Sequence, residues 1–452
     1  MLRHKAIVAA LAIVTFFAVP LHSQTQSAPS SHHKLTRTVT EYTLPPDKLA
    51  KSTALHKTHV REWIVDSAYG LALLLFYLYG GWAAGFRDVA ERVARNRFLQ
   101  AWIFVPLFLV TMDVLNLPPD MYAHRLSRSY GLSVQGWASW FGDWGKALGI
   151  EVIGGTLILW LLYWIIRKSV RRWWFYFWLA TLPIMAFLVF IAPVVLDPMF
   201  NKFEPLDKTN PELVSKIEEV VQRAGMNIPR DRIFEMKASA KTTELNAYVT
   251  GYGATKRVVV WDTTEQKMTT PQTLFVFGHE MGHYVLGHVW KGMLFGAVVL
   301  FVTFYLGFRF SLWIIARYGP RWHIRDIGDW ASLPALILVV SIVSFFVEPI
   351  GNGFSRVIEH HADIYGLEVI HGIVPDANQA AAQSFQVLGE TSLSYPYPNR
   401  LLTFWLADHP PIPDRVRFAV SYHPCEAGHL PRFVPDACDN QTGSVSSRHL
   451  SF

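Results

Sequence analysis

Charge and cysteine are both scarce in this chain, and each shortage removes a class of protein. Charged residues make up 17% of its 452 residues, against roughly 25% in soluble domains. An ordinary soluble globule is therefore a poor description. Only two cysteines occur, Cys425 and Cys438. They form no C-x-x-C pair that could act as a redox centre or a metal knuckle. They read either as one disulfide or as two free thiols. The formal charge is +6, yet no compact basic face interleaved with aromatics stands in a polar setting. That excludes nucleic acid as a partner. Internal repeats are absent too, which argues against a transporter assembled from repeated halves.

Apolar length is what the chain has in quantity. Hydrophobic residues reach 51%, with 17 Trp and 30 Phe. They gather in six blocks, at roughly 63–84, 101–117, 147–166, 173–196, 293–316 and 331–349. Each approaches the length a helix needs to cross about 30 Å of hydrocarbon. The expected fold class is mainly α, a polytopic transmembrane helical bundle. Ahead of the blocks, Arg3 and Lys5 precede an apolar run from Ala6 to Pro20. Residues 1–23 read as a secretory signal or a first membrane helix. Residues 24–60 are polar and read as an exposed segment.

The loops predict an orientation. Arg87, Arg92, Arg95 and Arg97 follow the first block. Arg167, Lys168, Arg171 and Arg172 follow the third, and Arg317, Arg321 and Arg325 the fifth. In an alternating topology these three loops share one side, which the positive-inside rule makes cytoplasmic. The segments 197–292 and 350–452 then face the periplasm of a bacterial inner membrane. A disulfide between Cys425 and Cys438 is allowed there.

Residues 197–270 are polar and mixed. Pro211 to Ala224 reads as a short amphipathic helix. Residues 245–250 and 256–262 have strand composition, and Gly251-Tyr252-Gly253 separates them. They predict a hairpin in a small α+β domain.

Directly after it comes His279-Glu280-Met281-Gly282-His283, an H-E-x-x-H pattern. On a helix, positions i and i+4 share a face, so both imidazoles can reach one ion. Glu280 stands beside them, ready to take a proton from a water that zinc acidifies. A third protein ligand is needed. The extended H-E-x-x-H-x-x-G-x-x-H pattern fails, because Leu286 and Val289 hold its later positions and His288 falls one residue short. The alternative is a glutamate from a second helix. Within SRVIEHHADIYGLE (355–368), Glu359 and Asp363 lie four apart on one face. Glu359 can close a His-His-Glu site, and Asp363 can orient a ligand imidazole. His360 and His361 compete with Glu359 as ligands but point elsewhere around the helix. His288 reads as a supporting or solvated histidine.

Four stretches carry a family resemblance: IAPVVLDPMFNKFEPL (191–206), NAYVTGYGATKRVVVWDT (246–263), VFGHEMGHYVLGH (276–288) and SRVIEHHADIYG (355–366). With their order among the apolar blocks, they make the chain resemble the type-1 CAAX prenyl endopeptidases, polytopic membrane zinc peptidases. The resemblance covers most of the chain after about residue 40. It implies membrane helices enclosing a water-filled chamber, and one Zn2+ on His279, His283 and Glu359. It implies Glu280 as general base, and Asn246, Ala247 and Tyr248 on an edge strand that pairs with substrate. His409, in His-Pro-Pro (409–411), and Arg415 match a late His-Pro…Arg element near the metal that steadies the oxyanion. Read from the residues alone, His409 is a loop histidine.

The expected organisation is a signal or first helix at 1–23, an exposed segment at 24–60, and a four-span membrane domain at 61–196. The first catalytic part follows at 197–292, two further spans at 293–349, and the second catalytic part with the tail at 350–452. The resemblance implies removal of the C-terminal tripeptide of prenylated CAAX proteins. A periplasmic site instead favours a broader quality-control protease acting on exported or misfolded chains. The expected partners are a peptide or protein substrate, prenylated or not, and membrane lipids. No signal for oligomeric state is present. A non-catalytic metal-binding scaffold or a transporter fits less well, since both imidazoles, the base and the third ligand candidate are all kept.

Overall fold

A computed structural model describes residues 34–251, 256–426 and 430–441; the expected signal at 1–23 and the hairpin turn after Gly251 lie outside the described residues. The helices are α1 (Pro46–Tyr79), α2 (Trp82–Val93), α3 (Arg97–Ser129), α4 (Trp137–Lys168), α5 (Trp173–Phe190), α6 (Pro211–Arg223), α7 (Thr270–Val285), α8 (His288–Tyr318), α9 (Leu333–Ile370), α10 (Ala377–Thr391), α11 (Arg400–Leu406) and α12 (Ile412–Ser421). Shorter helices cover Ala192–Phe200, Leu206–Thr209 and Asp262–Lys267. The strands are β1 (Phe203–Pro205), β2 (Ile233–Met236), β3 (Ala247–Thr250) and β4 (Arg257–Trp261). The chain divides into two compact units. Among the described residues, one holds 54–200 and 290–348, and the other 34–53, 201–289 and 349–441.

The first unit is the membrane unit. Five helices are long and apolar enough to cross a bilayer: α3, α4, α5, the helix from His288 and the helix from Trp330. Helices α1 and α2, bent by 53°, qualify together as a sixth. The apolar block at 63–84 therefore does not form one straight span. Gly81 has φ +69°, a left-handed conformation that glycine adopts without a Cβ penalty, and it ends the first helix inside the apolar run. The core is aromatic, with Trp330 packed on Phe104 at 5.6 Å and on Tyr163 at 4.6 Å between ring centroids. The three arginine-bearing loops converge at one end. Arg87 Nη1 donates to Asp329 Oδ2 at 2.7 Å and to the His323 carbonyl at 2.8 Å. Arg325 pairs with Glu91 at 2.9 Å. Arg167 donates to the Gly328 carbonyl at 2.9 Å, with its guanidinium over Trp330.

The second unit is α+β. Its sheet runs β1-β2-β4-β3, with β2 and β4 parallel and the outer pairs antiparallel. Strand β3 is thus an edge. Asn210 caps α6 by accepting from the Leu213 amide, and Pro211 opens the helix, both favoured N-terminal choices. Leu213, Val214, Ile217, Val220 and Val221 form its buried stripe.

Residues 35–44, expected within an exposed polar segment, are mostly exposed, with Val39 and Tyr42 buried. They form an extended strap against α10 and the start of α7. Gln379 exchanges two hydrogen bonds with the backbone of Val39, at 2.8 and 3.0 Å. Gln386 does the same with Thr43, at 3.2 and 2.6 Å. Gln272 and Gln383 donate to the carbonyls of Leu35 and Arg37. Val39 and Tyr42 are buried, and the Tyr42 ring fills the space where a Cβ on Gly389 would stand. The glutamines pair with backbone groups of Leu35, Arg37, Val39 and Thr43, so a mostly exposed polar sequence is held in place. From Pro46 onward the supposed segment is already α1.

A second difference concerns α9. The last apolar block and the stretch bearing Glu359 read as separate elements, but they form one 38-residue helix with Pro349 inside it. Cys425 and Cys438 form a disulfide, so the free-thiol alternative is set aside.

Candidate active site

The site is built on α7 and α9, and glycine lets their backbones meet. A Cβ on Gly278 would stand 2.8 Å from Val369 Cγ1 and 3.1 Å from the Gly366 carbonyl. One on Gly366 would stand 2.8 Å from the His279 amide nitrogen, and one on Gly282 would stand 3.2 Å from Ala362 Cα. Backbone cannot retreat as a flexible side chain can, so these three positions need glycine. Gly278 and Gly282 bracket the first three letters of the H-E-x-x-H pattern at small-x-x-x-small spacing, a signal available in the sequence. Upstream, Thr269 and Gln272 form a capping box that starts α7.

This close approach brings three donor groups together. His279 Nε2 lies 3.2 Å from Glu359 Oε2, His283 Nε2 lies 3.4 Å from Glu359 Oε1, and the two Nε2 atoms are 3.1 Å apart. Ligand atoms of all three residues lie within 4.8 Å of one another. Two imidazoles and a carboxylate are the donor set suited to Zn2+. Glu359 Oε2 is buried without a hydrogen-bond partner among the described residues, as expected of an oxygen whose partner is a cation. Burial alone would lower the His279 pKa; the carboxylates of Asp363 and Glu359 override it and carry it up to about 10. The pocket is thus electrostatically prepared for positive charge.

Each imidazole is held from behind. His279 Nδ1 lies 2.8 Å from Asp363 Oδ1, so Nδ1 carries the donated proton and Nε2 keeps its lone pair for the site. Asp363 is fully buried. It is gripped in turn by Arg415, with Nε to Oδ2 at 2.9 Å and Nη2 to Oδ1 at 2.5 Å. The Arg415 guanidinium stacks over Phe385 at 4.4 Å. His283 has a different support. Its Nδ1 lies 3.1 Å from Nδ1 of the buried His288. With the lone pair needed at Nε2, His283 donates and His288 accepts. Gly287, at φ +66°, makes the turn that folds His288 back.

His409 and Arg415, expected to act as a pair, make different contacts. His409 Nε2 lies 3.3 Å from Glu359 Oε2, and its Nδ1 lies 3.0 Å from Asp408. Its side chain is 52% exposed, open to a substrate. Arg415 is instead committed to Asp363 behind the site. Glu280 is half-buried on α7. Burial raises its carboxyl above the ordinary value, and His279 and His283 pull the other way.

Asn246 sits at the foot of β3, its amide donating to Thr264 Oγ1 at 2.9 Å. Ala247 points into the core, and Tyr248 packs on the opposite side with Phe203 and Phe234. The strand packs beside α7. His360 and His361 do not join the donor group: His360 faces Phe418, and His361 lies against Phe433 and Arg432.

Comparison with known proteins agrees with this architecture. Residues 207–422 match Peptidase family M48, and residues 26–202 match the CAAX prenyl protease N-terminal region of five membrane helices. The chain is similar to "Uncharacterized metalloprotease YhfN" of Bacillus subtilis, at 36% identity over 83% of this chain and 86% of the relative. It is also similar to "CAAX prenyl protease 1 homolog" of Dictyostelium discoideum, at 33% identity over 62% and 66%. Among solved structures, the crystal structure of S. mikatae Ste24p matches with a TM-score of 0.73, at 22% identity over 84% of this chain and 90% of that one. The chain is a metallopeptidase of the type-1 CAAX prenyl endopeptidase family, within peptidase family M48, and an integral multi-pass membrane protein.

Proposed function

We propose that this chain is a zinc endopeptidase in which His279, His283 and Glu359 hold one Zn2+ and Glu280 is the general base. The observation that carries the reading is the convergence of His279 Nε2, His283 Nε2 and the Glu359 carboxylate. A zinc ion held there supplies a Lewis acid for the scissile carbonyl and lowers the pKa of a coordinated water. The protein residues supply the rest. Glu280 takes the proton from the attacking water and passes it to the leaving amine, a task suited to a carboxyl whose pKa burial has raised. Asp363 and His288 fix the ring orientations of His279 and His283. His409 Nε2 donates to the oxygen that gains charge in the transition state, and its distance from Glu359 supports this. The edge strand β3 pairs with the substrate backbone through Asn246, Ala247 and Tyr248, laying an extended peptide beside α7. Arg415 acts through Asp363 and not on substrate.

For substrate, the favoured reading is a chain ending in a prenylated CAAX motif, supported by the relatives named CAAX prenyl protease 1 homolog. The second reading, a broader protease acting on exported or misfolded chains, is supported by orientation. The arginine-bearing loops share one end of the membrane unit, consistent with a cytoplasmic face. The catalytic unit carries the Cys425–Cys438 disulfide, which suits an oxidising compartment such as the periplasm. The deciding experiment presents detergent-purified enzyme with two matched CAAX peptides, one farnesylated. Mass spectrometry locates the cut, and Glu280→Gln serves as control. Cleavage of the farnesylated peptide alone, beside the modified cysteine, is the expected result. Equal cutting of both would move the assignment to the broader protease. Glu280→Gln should retain metal and lose turnover by about 10²–10⁴-fold, the usual range for a single acid–base group. Undiminished turnover would remove Glu280 as the base.

A further inference from the structure

We infer that Arg356, a residue outside the donor group, is a positioning residue for His409. The inference rests on the reading of His409 as a transition-state contact.

Asn352, Arg356, Glu359 and Asp363 are spaced four, three and four apart along α9, so they share one face of the helix. The last two of them face the metal donors. The first two face the C-terminal end of α11. Asn352 Nδ2 donates to the Trp405 carbonyl at 2.5 Å. Arg356 Nη1 donates to the Thr403 carbonyl at 3.0 Å and also to the Ala407 carbonyl. The Thr403 carbonyl also accepts from the Ala407 amide at 3.2 Å, so Arg356 adds a second donor there, and a cation at this end meets the negative end of the helix dipole. Arg356 therefore closes α11 and fixes the first residue of the loop that follows. That loop is Ala407-Asp408-His409, and Pro410 and Pro411 stiffen it on the far side.

The His409 side chain cannot fix its own place by burial, since half of it is exposed. Its neighbouring partner, Asp408, is carried on the same loop. Helix α9 supplies an external reference: Arg356 grips the loop two residues before His409, and Glu359, one turn further along, faces His409 Nε2 at 3.3 Å. One helix face thus sets both the third donor and the distance of His409 from it. A misplacement of about 1 Å at such a contact can cost about a hundredfold in rate.

The test is a double-mutant cycle on the detergent-purified full chain, with a farnesylated fluorogenic CAAX peptide as probe. Arg356→Met keeps the apolar stem and removes the donors. It should lower kcat by about tenfold to a hundredfold, with KM within about twofold and zinc content unchanged. Arg356→Lys should recover part of the loss. In a His409→Ala background, Arg356→Met should add less than about a twofold loss, because the group it positions is gone. An Arg356 effect that multiplies in full on His409→Ala overturns the inference alone, as does a fall in metal content. Full turnover in His409→Ala overturns the reading beneath it, and the inference with it. Should Arg356→Met fail to fold, Arg356→Lys and Asn352→Ala carry the same cycle.

Discussion

The two imidazoles of the donor group are supported in opposite styles. Behind His279 stands a charged stack: Asp363 accepts from the ring, Arg415 grips Asp363 on two edges, and Phe385 lies under the guanidinium. Behind His283 stands a second imidazole, His288. An anionic partner makes the ring a stronger donor and attracts a cation; a neutral acceptor mainly fixes tautomer and rotation. The charged side is also the more buried, with side-chain exposure of 9% at His279 against 21% at His283. His279 stands on the more enclosed side of the donor group and His283 on the more open one.

Glu359 belongs to both sides, so its removal should have the largest effect. Glu359→Ala should weaken zinc binding by more than the roughly 10–100-fold typical of a supporting residue, read by competition with a chromophoric chelator. Unchanged affinity would mean that another residue, with His409 the nearest candidate, closes the site. Next comes the charged side. Asp363→Asn should weaken zinc by about 10–100-fold and destabilise the fold by about 3–5 kcal/mol, because Arg415 is left buried without its counter-charge. Chemical denaturation of the zinc-free protein isolates the second effect. The His288 side should matter less. His288→Phe removes the acceptor but strands no charge, so zinc affinity should fall by less than in Asp363→Asn. Equal losses would erase the distinction between the two sides.

How much of this could be read beforehand differs from residue to residue. The juxtaposition of His279 and His283 is legible because helical spacing is a local property. Glu359 and Asp363 were legible as a pair on one face, but only the upstream motif gave that face a purpose. Arg415 is placed beside His409 by the resemblance of their segment to a late His-Pro…Arg element. Six residues of chain contain a helix start at Ile412, and the direction each side chain takes from it is not local information. The docking of the strap at 35–44 is not legible for the same reason: its partners Gln379 and Gln386 lie more than 300 residues away. Continuity of α9 was hidden by Pro349, which a helix interior tolerates here but usually does not. The break between α1 and α2 was hidden because Gly80 and Gly81 sit within an apolar run.

The smallest expected effect probes the turn that serves the His288 side. A Cβ on Gly287 would meet nothing within 4 Å, but φ is +66°. Gly287→Ala should therefore cost only backbone strain, about 1–2 kcal/mol, with zinc affinity within about twofold of the parent. Thermal unfolding of the zinc-free protein reads the first quantity and chelator competition the second. If affinity instead falls as far as in His288→Phe, the alanine has relaxed the turn and withdrawn His288 from His283. The support on that side would then reside in the backbone conformation that delivers the imidazole. If stability falls alone, the contact between the two rings is strong enough to hold a strained turn in place, and His288 is more than a filler of space.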